Sequence, residues 1–529
     1  MKLLFKIVVV LVLVINLNEI NCSRILGIFP FNAKSHMQMF EQLMKGLARR
    51  GHQVDVVSSF PLKKPYENYT DIFLPTALPK MVNNMSYNTL QDILNNDMIA
   101  FLATQAGNLI CEKGLQDPQI QSIIKKPPNN PPYDLVIVEI FAAHCFAAIG
   151  HHLNVQVVGI SSSALYPWGN DIIGNPENLG FVPNNFLSFR NNMNFLQRFY
   201  NVIHTFYYKY NFNYLTTSQS GLIKKYIDNK IPGIRELENN MAIVLTNTHP
   251  SLNGARPQVP AVIEVGGLHV QEDYEEGEIS PEDLEWMNDS NDGFIYFTFG
   301  SMITIESFPK NDLDVFYKSL GKISPVRILM KVPEPKLLPP GLPKNIRTFS
   351  WIPQIKVLKH KNIRAFITHG GLMGSQEAIT YAVPVIGIPL FADQFININT
   401  LVDKNVAIKI DKNHITEDKF DNALKEILYN PIYRNSMKEL SDNFLDRPLN
   451  AMDTACFWIE YVIRRGNKVM RSASLDLFWW QIALLDVYVV ILLLAMSAVY
   501  IIREFIRYTL NLIYKKKHKK SQLNNKKIN

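Results

Sequence analysis

Cysteine is scarce in this 529-residue sequence, with Cys22, Cys111, Cys145 and Cys456 standing far apart. They make no CxxC pair and no zinc pattern. Cys22 falls in a candidate leader and the remainder is odd, so buried free thiols are expected rather than a disulfide framework. Charge of one sign is lacking over most of the chain. The formal net charge is +7, but residues 503–529 carry nine Lys/Arg against Glu504 alone, which leaves 1–502 at −1. A near-neutral body implies no basic groove, so nucleic acid is not expected as a partner.

Long apolar runs are also few. Lys2 and Lys6 precede Ile7 to Ile15, too short to span a bilayer and typical of a secretory signal peptide over 1–22. Sequons at Asn68, Asn84 and Asn288 fit a glycosylated, lumenal body. The second run, Leu484 to Ile502, holds one charge, Asp486, and follows the interfacial belt Phe478-Trp479-Trp480. It is long enough to cross a membrane. Basic residues are denser after it, which puts the tail 503–529 in the cytoplasm and makes the chain single-pass type I. Lys526 and Lys527 resemble the dilysine retrieval signal of endoplasmic reticulum membrane proteins, although a lysine-rich stop-transfer tail reads the same way.

Between these ends the pattern is α/β. Arg24 to Phe29 and Gln53 to Ser58 read as strands around a helix with Phe40, Leu43, Met44 and Leu47 on one face, and His36 lies in its first turn. Asp134 to Val138 is a strand ending at Glu139, and Gln156 to Ile160 follows a helix. Residues 60–130 give no clear reading. Aromatics crowd Phe189 to Tyr214, including Phe195, Phe199, Tyr200, Phe206, Tyr207, Tyr208, Tyr210, Phe212 and Tyr214. They read as helix core or, functionally, as an apolar acceptor pocket or a membrane-leaning surface. The acidic run from Gln271 looks like a linker, and Gly293 to Phe299, closed by Gly300-Ser301, opens a second doubly wound domain.

The most informative stretch is Trp351 to Gln394. Arg364 to Thr368 is a buried-type strand that ends at His369-Gly370-Gly371, and Gly374-Ser375 with Glu377 open a helix. Strand, glycine turn and helix N-terminus aim unpaired N–H groups at an anion. A second strand, Pro384 to Pro389, leads to Asp393-Gln394 at its C-terminal end, where open α/β sheets bind ligands. Counted from Trp351 as 1, His369 falls at 19, Gly371 at 21, Glu377 at 27 and Asp393-Gln394 at 43 and 44.

That register resembles the donor signature of the UDP-glycosyltransferase family, in the form of an arthropod-type membrane-bound member, and the resemblance extends over nearly the whole chain. It implies a GT-B fold: two Rossmann-like doubly wound domains facing a cleft, plus one C-terminal transmembrane helix. The implied organisation is 23–270 for the acceptor domain, 271–292 for the linker and 293–465 for the donor domain with closing helices. The juxtamembrane segment is 466–483, the span 484–502. By resemblance, Trp351 stacks on uracil with Ile352 and Gln354 beside it, and Glu377 accepts from the ribose. Gly300, Ser301, His369, Gly371, Gly374 and Ser375 surround the pyrophosphate, and Asp393 and Gln394 hold the hexose. His36 matches the family's general base. Its usual aspartate partner is replaced by Glu139, and His144 occupies the place of an acid in some arthropod relatives.

Three further departures stand out. Met373 replaces a usual asparagine and removes a phosphate-side donor, Ala382 replaces a glycine as a packing change, and Met330 replaces a tryptophan. Thr246 stands where glucuronosyltransferases carry arginine, which predicts glucose over glucuronate unless Arg256 substitutes. Asp312-Leu313-Asp314 imitates a metal-binding DxD but reads as helix-start acids. The expected reaction is inverting, metal-independent transfer of a hexose to a hydroxyl of a small lipophilic acceptor. A UDP-hexose is co-substrate, no separate cofactor is implied, and there is room for a homo-oligomer. The alternative is a catalytically inactive UDP-sugar binder or regulatory membrane homologue, with Met373 and Glu139 as the damage.

Overall fold

Strand β1 (Arg24–Phe29, RILGIF) is apolar at almost every position, which suits a strand covered on both faces. It lies inside a parallel sheet with β2 (Gln53–Ser58), β3 (Tyr69–Phe73), β4 (Tyr133–Glu139), β5 (Gln156–Ser161), β6 (Val244–Thr246) and β7 (Val262–Glu264). The order is β3-β2-β1-β4-β5-β6-β7. A second parallel sheet contains β8 (Phe294–Thr298), β9 (Arg327–Lys331), β10 (Ile346–Phe349), β11 (Ile363–Thr368), β12 (Val385–Gly387) and β13 (Ala407–Lys409), in the order β10-β9-β8-β11-β12-β13. The computed structural model describes residues 22–75, 78–95, 97–271 and 277–525. The candidate leader up to residue 21 and the Lys526-Lys527 pair lie outside the described residues.

Each sheet has its own helices and core, but two segments cross over. Helix Lys34–Arg49 buries Met37, Phe40, Leu43, Met44 and Leu47 against the first sheet. Helix Ala451–Arg465, capped by Asn450, returns to this same core with Ala455, Cys456, Ile459 and Val462. Arg50 pins it through Asp453 at 2.7 Å and Glu460 at 3.1 Å. In the other direction, Met85 and Leu90 of the first half join the core of the second. Backbone bonds from Asn83 N–H to the Ser301 carbonyl (2.9 Å) and from Met85 N–H to the Met302 carbonyl (3.0 Å) fix that excursion.

One expectation is corrected and one open reading is decided. Cys111 and Cys145 form a disulfide, with Cys22 and Cys456 left free. The helical stretch 98–125 folds over the turn leaving β4 and brings together two buried sulfurs 34 residues apart, a proximity that sequence spacing does not encode. The aromatic stretch is not mainly core. In helix Phe195–Thr216 only Tyr208 and Phe212 of its aromatics are buried, while Phe195, Phe199, Tyr200, Phe206, Tyr207, Tyr210 and Tyr214 are exposed. Its inward face uses Asn201 and Thr205 alongside those two rings.

The chain divides after Ser472. The second unit contains one long helix, Leu485–Asn525, of which Leu485–Lys520 is long and apolar enough to cross a membrane. It continues without a break beyond Ile502, where the span was expected to end.

Candidate active site

Both sheets reverse their winding beside their first strand, between β1 and β4 in one and between β8 and β11 in the other. Loops diverge at such a switch point and leave a crevice at the C-terminal strand ends. Residues from both crevices line one cleft of about 250 Å³.

On the first side, the first turn of helix Lys34–Arg49, which follows β1, delivers His36 and the end of β4 delivers Glu139. Their side chains meet, with His36 Nδ1 2.6 Å from Glu139 Oε1. The extra methylene of glutamate is therefore accommodated. Glu139 is buried behind the ring, whereas His36 lines the cleft. With Nδ1–H donated to the carboxylate, Nε2 is left as the basic nitrogen. Phe31 (5.0 Å between ring centres) and Phe141 (5.1 Å, edge-on) box the imidazole. Tyr166, Phe186, Met98, Phe101 and Leu102 extend this apolar wall. Leu102 opens a wide π-helical stretch, Leu102–Leu109, a geometry often found beside functional sites. His144 is elsewhere: it is buried, with Nδ1 2.5 Å from Glu238 Oε1.

On the second side, the turn after β11 feeds helix Leu372–Thr380. Its N-cap, Gly371, offers no side-chain bond and its first turn has no acid, so the first N–H groups face the cleft uncompensated. His369 is wedged between two glycines. A Cβ on Gly300, which has φ of +81°, would lie 2.5 Å from the ring, and one on Gly371 would lie 2.7 Å from it. Burial and the nearby Lys331 push the His369 pKa down to about 4, so the ring is neutral at pH 7 and acts as a dipole.

The cation on this side is Lys331, which sequence reasoning missed. It ends β9, donates to the Gly300 carbonyl at 2.6 Å and lies 4.8 Å from the centre of the Trp351 ring. A lone lysine at a strand end carries no distinctive signal; only its position one strand away from β8 could have pointed to it.

Trp351, Ile352, Gln354, Gly374 and Glu377 line the cleft beyond this point, with Gln354 Nε2 donating to Glu377 Oε2 at 2.6 Å. Ser301, Asp393 and Gln394 also line it. Burial raises the Asp393 pKa, while the Asn397 amide (3.0 Å) and nearby His36 oppose the rise. Gln394 accepts from the Leu390 and Phe391 N–H groups, which leaves its NH₂ for a ligand. Ala392, just before this pair, sits at φ of +52°, a costly conformation for a residue with a Cβ.

Some expected residues are placed differently. Ser375 does not line the cleft; it is buried and its hydroxyl donates to the Gly371 carbonyl inside the helix. Met373 borders the cleft and packs into the core of the first half, so an apolar residue there has a packing partner. Ala382 has φ of +53°, so the glycine usual at this position is explained by backbone conformation rather than packing. Thr246 and Arg256 border a separate small cavity, where Thr246 faces Thr248 at 2.8 Å. Asp312 and Asp314 lie in the first turns of helix Lys310–Lys322, away from the cleft, with Asp314 paired to Lys310. Asn68, Asn84 and Asn288 are all exposed.

The chain is similar to known proteins over most of its length. The pattern of the family described as UDP-glucoronosyl and UDP-glucosyl transferase matches residues 26–520. UDP-glucosyltransferase 2 of Dactylopius coccus is 34% identical over 487 residues, covering 91% of this chain and 92% of that protein. The human UDP-glucuronosyltransferase 2B15 is 26% identical, covering 95% and 96%. Among solved structures, Phytolacca americana UGT2, complexed with UDP-2fluoro-glucose and pterostilbene, superposes with a TM-score of 0.58. It is 17% identical and covers 84% of this chain and 100% of its own. The two-domain fold is GT-B.

Proposed function

The chain belongs to the UDP-glucoronosyl and UDP-glucosyl transferase family and is a glycosyltransferase enzyme, and from that premise we propose that it moves glucose from UDP-glucose to a hydroxyl of a small lipophilic acceptor, with inversion and without a metal ion. The observation that carries this reading is the His36–Glu139 pair, 2.6 Å apart, in the aromatic half of the cleft whose other half holds the glycine-framed helix N-terminus.

In the proposed reaction His36 Nε2 takes the acceptor proton as the hydroxyl oxygen attacks the anomeric carbon. Glu139 stabilises the imidazolium that forms. The bond to the phosphate oxygen breaks from the opposite face, and a single displacement inverts the centre. Charge on departing UDP is met by the N–H groups of helix Leu372–Thr380, by Lys331 and by the neutral His369. Trp351 provides the base platform and Glu377 the ribose acceptor, while Asp393 and Gln394 hold the hexose. Met373 and Glu139 both fit their surroundings, which favours an active enzyme over a damaged binder.

Glucose over glucuronate is proposed on grounds other than Thr246. Among the described residues no arginine borders the cleft, whose hexose end presents Asp393. A glucuronate carboxylate would stand there without a bidentate partner. The curated relative named UDP-glucosyltransferase 2 points the same way.

For topology, we propose a lumenal body tethered by the helix beginning at Leu485 to the endoplasmic reticulum. The Cys111–Cys145 bridge supports an oxidising compartment, and the exposed sequon asparagines are accessible there. The exposed aromatic face of helix Phe195–Thr216 supports the membrane-leaning reading, since none of its rings lines the cleft.

The test is competition between UDP-glucose and UDP-glucuronate at equal concentration against a panel of phenols, read by mass spectrometry. Glucoside in about 10–200-fold excess is expected. Predominant glucuronide would overturn the donor assignment, and absence of any conjugate across the panel would count against the acceptor class.

A further inference from the structure

His269 has no place in the mechanism above, does not line the cleft and is completely buried. It follows β7 in the segment Val265-Gly266-Gly267-Leu268-His269 that leaves the first sheet. Its Nε2 stands 3.1 Å from Glu377 Oε1. The approach is off the hydrogen-bonding axis, and neither ring nitrogen has a hydrogen bond. Burying two polar nitrogens in this way is costly unless a partner comes into line. The facing carboxylate is the one assigned to the ribose, and its other oxygen already accepts from Gln354.

The backbone that carries His269 has little freedom. A Cβ on Gly266 would lie 2.6 Å from the Thr248 carbonyl oxygen, and Gly267 has φ of +83° with Phe444 against it. Gly267 N–H donates to Gln376 Oε1 at 3.0 Å, and Gln376 Nε2 donates to the Asn247 carbonyl at 3.1 Å. Gln376 and Glu377 are neighbours on one helix. The first fastens that helix to the segment leaving the acceptor sheet, and the second faces the histidine of the same segment.

We infer that His269 is a positioning residue for the donor: it holds Glu377 from the acceptor-domain side so that the carboxylate meets the two ribose hydroxyls, an inference that rests on the donor-site reading of Glu377. Bracketed by Gln354 on Oε2 and His269 on Oε1, the carboxylate has one orientation in which its remaining lone pairs face the cleft. The off-axis contact tightens when the ribose arrives, as polar contacts in empty sites commonly do. Ribose recognition is thereby tied to the fit between the two domains.

Glutamine and methionine at position 269 have nearly the same shape, and only glutamine offers an N–H near the imidazole Nε2 position. The full-length protein in detergent is titrated calorimetrically with UDP and with 2′,3′-dideoxy-UDP. Wild type should prefer UDP, and Glu377→Ala should erase that preference. His269→Met should lower the preference about 10-fold or more, the scale of a hydrogen bond to a charged group, with dideoxy-UDP affinity unchanged. His269→Gln should keep it within about threefold of wild type. KM for the UDP-sugar should rise in His269→Met with kcat little altered. Should His269→Met fail to fold, His269→Phe replaces it as the donor-free variant. Equal behaviour of the glutamine and donor-free variants, or equal losses on both nucleotides, overturns the role of His269 alone. Retention of the preference in Glu377→Ala overturns the donor-site reading beneath it.

Discussion

Removing the Cys111–Cys145 bridge tests the tertiary arrangement behind the proposed catalytic pair, His36 and Glu139. The bond joins helix Ile110–Gln116 to the turn His144–Phe146, a few residues beyond Glu139. Closing a loop with a sequence separation of 34 removes chain entropy worth about 3–4 kcal/mol at 25 °C. In a domain of this size that corresponds to a fall in melting temperature of roughly 5–10 °C. The double variant Cys111→Ala/Cys145→Ala avoids leaving a buried thiol beside an empty partner site. Differential scanning fluorimetry of the full-length protein in detergent gives the shift. Alkylation in denaturant, with and without reductant, followed by peptide mass spectrometry shows whether the two sulfurs are protected in the wild type. Turnover should also fall several-fold, because the anchored turn follows the strand end that fixes Glu139 against His36. Melting within about 2 °C of wild type, together with alkylation of Cys111 before reduction, would refute the bridge and remove its support for a lumenal body.

Two further outcomes follow from the same geometry. Ala382→Gly should stabilise the protein by about 0.5–1 kcal/mol, since relief of a left-handed alanine outweighs the entropy that glycine adds to the unfolded chain; a lower melting temperature would contradict this. His369 has a folded pKa lowered to about 4, so the unfolded chain binds its proton more readily. The stability of the neutral ring is fully present above pH 6.5 and is lost as pH falls toward 4, by about 1–2 kcal/mol after allowing for its edge on the cleft. His369→Gln should flatten that part of the pH–stability profile, and an unchanged slope would show that His369 titrates normally.

The half of the cleft proposed for the donor was legible as a crevice because its signals are contiguous. From Trp351 to Gln394 the strand, glycine turn, helix start and strand end follow within one stretch, and each local rule predicts the same crevice. His36 and Glu139 were legible as strand-end residues, although 103 positions separate them. What was not legible depends on contacts distant in sequence. The disulfide, the return of helix Ala451–Arg465 to the first core and the excursion of Met85 into the second arise only in the folded chain. Lys331 and His269 are lone residues whose meaning comes from what they face. Ser375 matched the spacing of a phosphate ligand, yet its hydroxyl bonds the preceding turn, as serines within helices commonly do. The exposed rings of helix Phe195–Thr216 decide between the core and surface readings that composition left open, because burial depends on what lies opposite.

The most direct measurement is the turnover of UDP-glucose with a phenol by wild type and by His36→Ala, with UDP affinity measured on both. An imidazole that removes the acceptor proton contributes about 10²–10⁴-fold. The variant should lose that much in kcat while its UDP Kd stays within about threefold of wild type, because the proposal places the nucleotide in the other half of the cleft. The wild-type product from the α-configured donor should be the β-glucoside. A His36→Ala enzyme with near-normal turnover, or a product that retains the α configuration, would contradict the account.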